Sequence, residues 1–285
     1  MKTPKTLLFA FAILLFGTLF LLLENKSTGK KEIKTTKTII EKKVKSEDAY
    51  DQVSNELNAL HKKYSQISSL VKYGKSSEGR DCIYFKIGSQ DKPKILIHSG
   101  LNGQEKQTTT ASIQLLTNIL KNQNDTEIKW LLENREIYFI PVVSPDAFVS
   151  GKDSGSSFPD GTKYEFMTAS VKNLVELAND LKFKAVLNLH SNGQSIAKPN
   201  KVCSKDFTYV TNLVEKMSNL SGFKIENGNE IDTNWFYSTG SCSLTLNLKN
   251  KDLPQAYDAV ITFIKEAAES DMNPQPIRPI FYQAD

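Results

Sequence analysis

The chain has 285 residues, 39% of them hydrophobic and 24% charged, which excludes a disordered polymer and allows one substantial buried core. Its formal charge of +4 is unevenly placed: residues 1–47 hold ten Lys against four Glu, a surplus of six, which leaves the remainder near −2. Without a basic surplus, the folded part is not expected to bind nucleic acid.

In chain order, the first feature is an apolar run at residues 7–23, LLFAFAILLFGTLFLLL, preceded by Lys2 and Lys5. Its 17 residues, at about 1.5 Å each in a helix, nearly span a hydrocarbon core of about 30 Å. No small-x-small cleavage site follows Leu23 and Glu24, so an uncleaved signal-anchor is expected, with a cleaved signal peptide as the alternative. The lysines after the run outnumber those before it, which by charge alone would keep the following part in the cytoplasm. A short basic start before the apolar run is nevertheless the signal-anchor layout. It predicts a folded domain outside the cytoplasm, membrane-anchored, or secreted if the signal is cleaved. Residues 24–47, rich in Lys and Thr with few large apolar groups, read as a solvated tether, and residues 48–285 as the domain.

Tyr50, Val53, Leu57, Leu60 and Tyr64 recur at spacings of three and four, predicting an amphipathic helix over 48–66. His61 lies beside that stripe among lysines and is expected at the surface. Strand and helix signals then alternate. Strands are read at 82–88 (CIYFKIG), 94–98 (KILIH), 136–143 (EIYFIPVV), 184–190 (KAVLNLH) and 242–248 (CSLTLNL), with helices near 106–121, 165–182, 205–220 and 254–269. This pattern predicts an α/β fold, a mixed β-sheet covered by helices on both faces. Sites in such sheets collect at the strands' carboxyl ends; Glu105 follows one strand and His190 ends another. Carboxylate and neutral imidazole are both good zinc ligands, yet on spacing alone the pair is a weak signal. Cys82, Cys203 and Cys242 are odd in number and lack CxxC spacing, which argues against a disulfide framework or a cysteine metal site.

Five motifs in order, over roughly residues 50–270, resemble the zinc carboxypeptidase family, the fold of carboxypeptidase A. KYGKSSEGRDCIYFKIG is similar to that family's opening hairpin, with the Ser-x-Glu-Gly-Arg turn intact from Ser76 to Arg80. KPKILIHSGLNGQE resembles its strand and HxxE ligand loop, and FIPVVSPDAF its Asn-Pro-Asp-Gly turn. FKAVLNLHSNGQSIAKP resembles the strand bearing the third ligand, and NWFYSTGSCSLTLNL the last strand. The resemblance implies a zinc site with Glu105 at the glutamate position and His190 at the second histidine, while Asn102 falls where the first histidine belongs. His98, inside the preceding strand, is read as structural.

Other positions also depart from the family. GKDSGSSFP matches its Gly-x-Asp-Leu-Asn-Arg-Asn-Phe-Pro run, keeping Gly151, Asp153, Phe158 and Pro159. Gly155 and Ser156 replace the Asn-Arg pair that grips the substrate's terminal carboxylate, and a hydroxyl cannot mimic a guanidinium fork. Asn247 stands where the general base belongs, and an amide cannot take a proton from zinc-bound water at neutral pH.

These readings predict a membrane-tethered, carboxypeptidase-like domain with a depleted site, a pseudoenzyme binding a peptide or cell-wall (peptidoglycan) fragment with little or no hydrolysis and weak zinc binding. The alternative is an active zinc metallocarboxypeptidase with an Asn102, Glu105, His190 metal site, acting on peptides or peptidoglycan stem peptides. That reading requires a base from elsewhere, with Glu226, Glu230 and Asp232 as undistinguished candidates. A different amide or ester hydrolysis on the same scaffold is a third.

Overall fold

The structure is a computed structural model and describes residues 47–156, 158–159, 167–191, 193–200, 207–249 and 253–274. The apolar run at 7–23, nearly all of the tether, the first residues of the helices expected near 165 and 205, and Cys203 lie outside the described residues. The described residues all fall in one compact unit. Among the described residues no helix is long and apolar enough to cross a membrane.

Eight strands form one sheet: β1 (Ser68–Lys75), β2 (Asp81–Gly88), β3 (Lys94–His98), β4 (Glu136–Ile140), β5 (Ala185–His190), β6 (Ser195–Lys198), β7 (Lys224–Asn227) and β8 (Cys242–Asn247). The order across the sheet is β1-β2-β4-β3-β5-β8-β6-β7. β3, β4, β5 and β8 are mutually parallel, while β2 and β6 run antiparallel to β4 and β8. The sheet is therefore mixed, as expected. The helices are α1 (Ala49–Lys63), α2 (Lys106–Lys121), α3 (Thr126–Asn134), α4 (Pro145–Ser150), α5 (Ala169–Leu181), α6 (Phe207–Ser221), α7 (Ile231–Ser238) and α8 (Leu253–Glu266).

Alternation along the buried strands sorts side chains to two faces. Ile95, Ile97, Leu187 and Leu246 point to the larger core, filled by α1, α2, α3, α6 and α8, with Phe148 of α4 and Tyr237 of α7. Leu96, Tyr138 and Val186 point to the smaller one, closed by α5 and by Trp235 and Phe236 of α7. Toward the carboxyl ends the second face turns polar. His98, Asn188, His190, Ser243, Thr245 and Asn247 all continue the Leu96–Val186 side and are buried. The change from apolar to polar along one face, not the strand signal itself, marks where the site lies.

Several expectations are corrected. The strand expected at 136–143 ends at Ile140, because Pro141 lacks the N–H needed to continue the ladder. Three strands were not among the five expected. β1 is the first half of the opening hairpin; β6 and β7, each of four residues, are too short for a periodicity to register. His61 is half-buried instead of surface-exposed, with Nδ1 3.0 Å from Ser68 Oγ and its ring edge-on to Phe85. Cys82 and Cys242 are buried free thiols.

Candidate functional site

Strand order puts a crevice at the end of β3. From β3 the chain steps to β4 on one side and later to β5 on the other, so the loops after β3 and β5 diverge and leave an opening between them. The loop after β3, residues 99–105, is held low across the end of β4. Ser99 N–H donates to Ile140 O at 3.0 Å and Ser99 Oγ to Pro141 O at 2.8 Å. Two glycines permit this approach. Gly100 has φ +64, and a Cβ there would meet Pro141 O and Val142 Cα at 2.9 Å; a Cβ on Gly103 would lie 1.9 Å from Ala147 O.

The loop delivers Glu105 to β5. Glu105 Oε1 lies 2.9 Å from His190 Nδ1, and both residues are buried. Glu230, just before α7, approaches the other ring nitrogen, with Oε2 3.4 Å from Nε2. Burial alone would lower the His190 pKa; the Glu105 hydrogen bond and the charges of Asp232, Glu105 and Glu230 outweigh it and hold the imidazole up at about 9. His190 is thus an imidazolium at neutral pH, flanked by two carboxylates.

Asn102 does not join them. Its Oδ1 accepts from Gln104 N–H at 2.9 Å, while its carbonyl accepts from Glu105 N–H at 3.1 Å. The side-chain oxygen thus shapes its own turn. Ser156 is committed in the same way: its Oγ accepts from Thr168 N–H at 3.0 Å, at the amino end of α5. Gly155 N–H donates to Asp153 Oδ1 at 3.2 Å, and Gly155 occupies the left-handed region with φ +60. Among the described residues, neither Gly155 nor Ser156 bonds to Glu105 or His190.

Asn247 sits beside His190 in the β5–β8 register. Its Nδ2 donates to Ser195 Oγ at 3.0 Å and to Glu226 Oε1 at 2.9 Å, and Ser195 Oγ also donates to Glu226. Deeper, His98 Nε2 lies 3.6 Å from Asp232 Oδ2, too far for a hydrogen bond, and neither nitrogen of His98 has a partner. Burial, helped by the charge of His190, lowers the His98 pKa to about 3, and burial raises Asp232 to about 6. His98 is a neutral buried imidazole.

Residues 53–154 match the zinc carboxypeptidase family. A metallocarboxypeptidase A of Trichophyton tonsurans is 30% identical over 109 residues, 36% of this chain and 26% of that protein. The alignment thus spans about a quarter of the curated relatives' length. The carboxypeptidase A structure from Helicoverpa armigera superposes with a TM-score of 0.68 over 77% of this chain and 73% of that one, at 16% identity. The metallo-carboxypeptidase structure from Burkholderia cenocepacia does so with a TM-score of 0.61, over 78% and 68%, also at 16% identity. The chain carries a zinc carboxypeptidase-like domain.

In this carboxypeptidase-like domain the family match contains Asn102 and Glu105 but stops before Gly155, Ser156, His190 and Asn247. Members of the family are zinc enzymes, and a catalytic zinc takes three protein ligands plus water. The donors present do not fit that requirement. Glu105 and His190 Nδ1 offer two; the Asn102 oxygen is occupied in its turn; Glu230 faces the opposite side of the imidazole ring. Among the described residues no three His, Cys, Asp or Glu are grouped to hold a metal.

Sequence reasoning named Glu226, Glu230 and Asp232 without distinguishing them. The fold separates their surroundings: Glu226 meets Asn247, Glu230 meets His190 and Asp232 meets His98. Ser195 was missed altogether. It lies on the unforeseen β6, opposite Asn247 in register, and no local pattern marks it.

Proposed function

We propose that this is a membrane-tethered, carboxypeptidase-like binding domain with a depleted catalytic centre, which recognises a peptide or a peptidoglycan fragment with little or no hydrolysis. One observation carries the reading: the three positions where the family resemblance calls for ligand, clamp and base are all committed to internal bonds. Asn102 closes its own turn, Ser156 receives the Thr168 N–H, and the Asn247 amide donates to Ser195 and Glu226. Zinc, with two donors instead of three, binds weakly. The apolar run at 7–23 serves as the anchor and the Lys-rich segment as the tether, placing the domain outside the cytoplasm, or releasing it if the signal is cleaved.

The specific observation favouring the alternative, a working hydrolase, is Glu230, which approaches the His190 nitrogen facing away from Glu105 and could serve as a base. The test assays release of C-terminal residues from peptides, with zinc supplied, for wild type and a reverted protein. Reversion combines Asn102→His, Ser156→Arg and Asn247→Glu with Glu226→Gln, because a carboxylate at position 247 would otherwise face Glu226. Loss of a base alone typically costs about 10²- to 10⁴-fold, so activity in the reverted protein only is the expected outcome. Robust zinc-dependent cleavage by wild type, lost in Glu230→Gln, would overturn it in favour of the hydrolase.

A further inference from the structure

The charge of the site is opposite to what a carboxylate-binding pocket needs. Glu105 and Glu230 flank His190, Glu226 holds Asn247, and Asp232 faces the neutral His98. Among the described residues none of these four carboxylates forms an ion pair with Lys or Arg; His190 lies beside Glu105 and Glu230, while Glu226 meets only the uncharged Ser195 and Asn247. Where the family resemblance calls for a guanidinium stands Ser156, already engaged by Thr168.

A second observation is independent of charge. Asn247 is 4% exposed, and its Oδ1 has no donor although its Nδ2 is satisfied. Asp232 is 1% exposed and its Oδ2 also lacks a donor. Buried acceptors left without donors are costly, and Asn247 lies against the Glu226 carboxylate. The complementary ligand brings N–H groups and positive charge. Ile231, which follows Glu230 in the chain, is 58% exposed. Apolar surface beside carboxylates suits a long aliphatic stem ending in a cation.

We propose that the pocket selects a peptide-borne ammonium group, received by Glu226, Glu230 and Asn247 Oδ1, in place of the terminal carboxylate that an arginine clamp would grip. This rests on the binding-domain reading above and names the ligand class for it.

The test is calorimetric titration of the full chain in detergent with three acetylated tetrapeptides. One is amidated and carries a single lysine; the second is its norleucine counterpart; the third is the norleucine peptide with a free C-terminal carboxylate. The lysine peptide is expected to bind about tenfold or more tightly than either norleucine peptide, and the difference should shrink as salt rises. Glu226→Gln combined with Glu230→Gln keeps an acceptor oxygen at each position and should erase the preference. A thermal melt of that variant matching wild type separates the effect from misfolding, and the single variants serve if the double one melts early. Equal affinities, preference for the free carboxylate, a preference that survives both substitutions, or no saturable binding up to millimolar peptide would each overturn the proposal. Chromatography of the same mixtures separates the two readings. Cleavage would remove the no-hydrolysis reading while a lysine preference stood, and intact peptides bound without preference would remove only the ammonium proposal.

Discussion

At the scale of single residues, Asn102 is the amide that stands where the family resemblance calls for a third ligand. An amide oxygen is a weaker donor to zinc than imidazole, and here it also accepts the Gln104 N–H. Glu105 and His190 bond to each other. Wild type is therefore expected to show no nanomolar zinc affinity by calorimetry, while Asn102→His tightens zinc binding by about tenfold or more. A nanomolar dissociation constant for wild type would contradict this. Asn247 yields a second expectation. Replacing it by Glu removes a donor from Ser195 and Glu226 and puts a buried carboxylate in its place. Asn247→Glu should cost about 1–3 kcal/mol in urea denaturation, with most of that recovered when Glu226→Gln is added. Equal losses with and without Glu226→Gln would show that the two side chains are not coupled.

At the scale of elements, the best-knit junction lies away from the site. The turn from Ser76 to Arg80, between β1 and β2, is tied to the start of α4: Ser76 Oγ donates to Asp146 Oδ1 at 2.7 Å, and Glu78 N–H to Asp146 Oδ2 at 3.0 Å. Arg80 bridges onward, from Asp146 at 2.8 Å to Asp48 at 3.2 Å. Asp48 in turn caps α1, accepting from Tyr50 and Asp51 N–H in a capping box. One guanidinium thus joins three elements. Burial opposes ionisation of Asp48 and Asp146, but hydrogen bonds and Arg80 outweigh it, and both pKa values lie below the usual 3.8. A depressed carboxylate pKa gives stability that is present above the unfolded value and lost as pH falls through the folded one. The melting temperature should therefore drop as pH falls below about 4, and Arg80→Ala should flatten that part of the profile. A slope unchanged by Arg80→Ala would assign the acid sensitivity to other groups. Asp48→Ala is expected to cost about 1 kcal/mol through loss of the cap.

At the scale of the whole molecule, stability comes from two apolar layers against one sheet, the larger gathering residues from every helix but α5. That apolar burial is expected to hold the fold without a metal. Thermal melts with and without chelator should superimpose. Loss of cooperative unfolding on adding chelator would show that a metal ties the loop after β3 to β5, and that the site is structural instead of depleted.

The sequence by itself determined the class of fold and the identity of the altered positions. Strands β3, β5 and β8 are short apolar runs bounded by polar residues, so their existence is a local property of the chain, as is the spacing of Asn102 from Glu105. The motif order also placed Ser156 and Asn247 at the clamp and base positions of the resemblance. What the chain could not show is which side chains those residues meet. The contacts of Glu105 with His190, of Asp146 with Arg80 and of Asn247 with Glu226 span 85, 66 and 21 residues of sequence. The last is fixed by strand order and by which face of the sheet each side chain occupies, so a one-residue change of register would break it; the first two also need the loop after β3 and the start of α4 to be brought into place. The tertiary structure alone decided that Asn102 turns its oxygen into its own loop, that Ser195 lies opposite Asn247, and that Glu226 meets Asn247 while Glu230 meets His190.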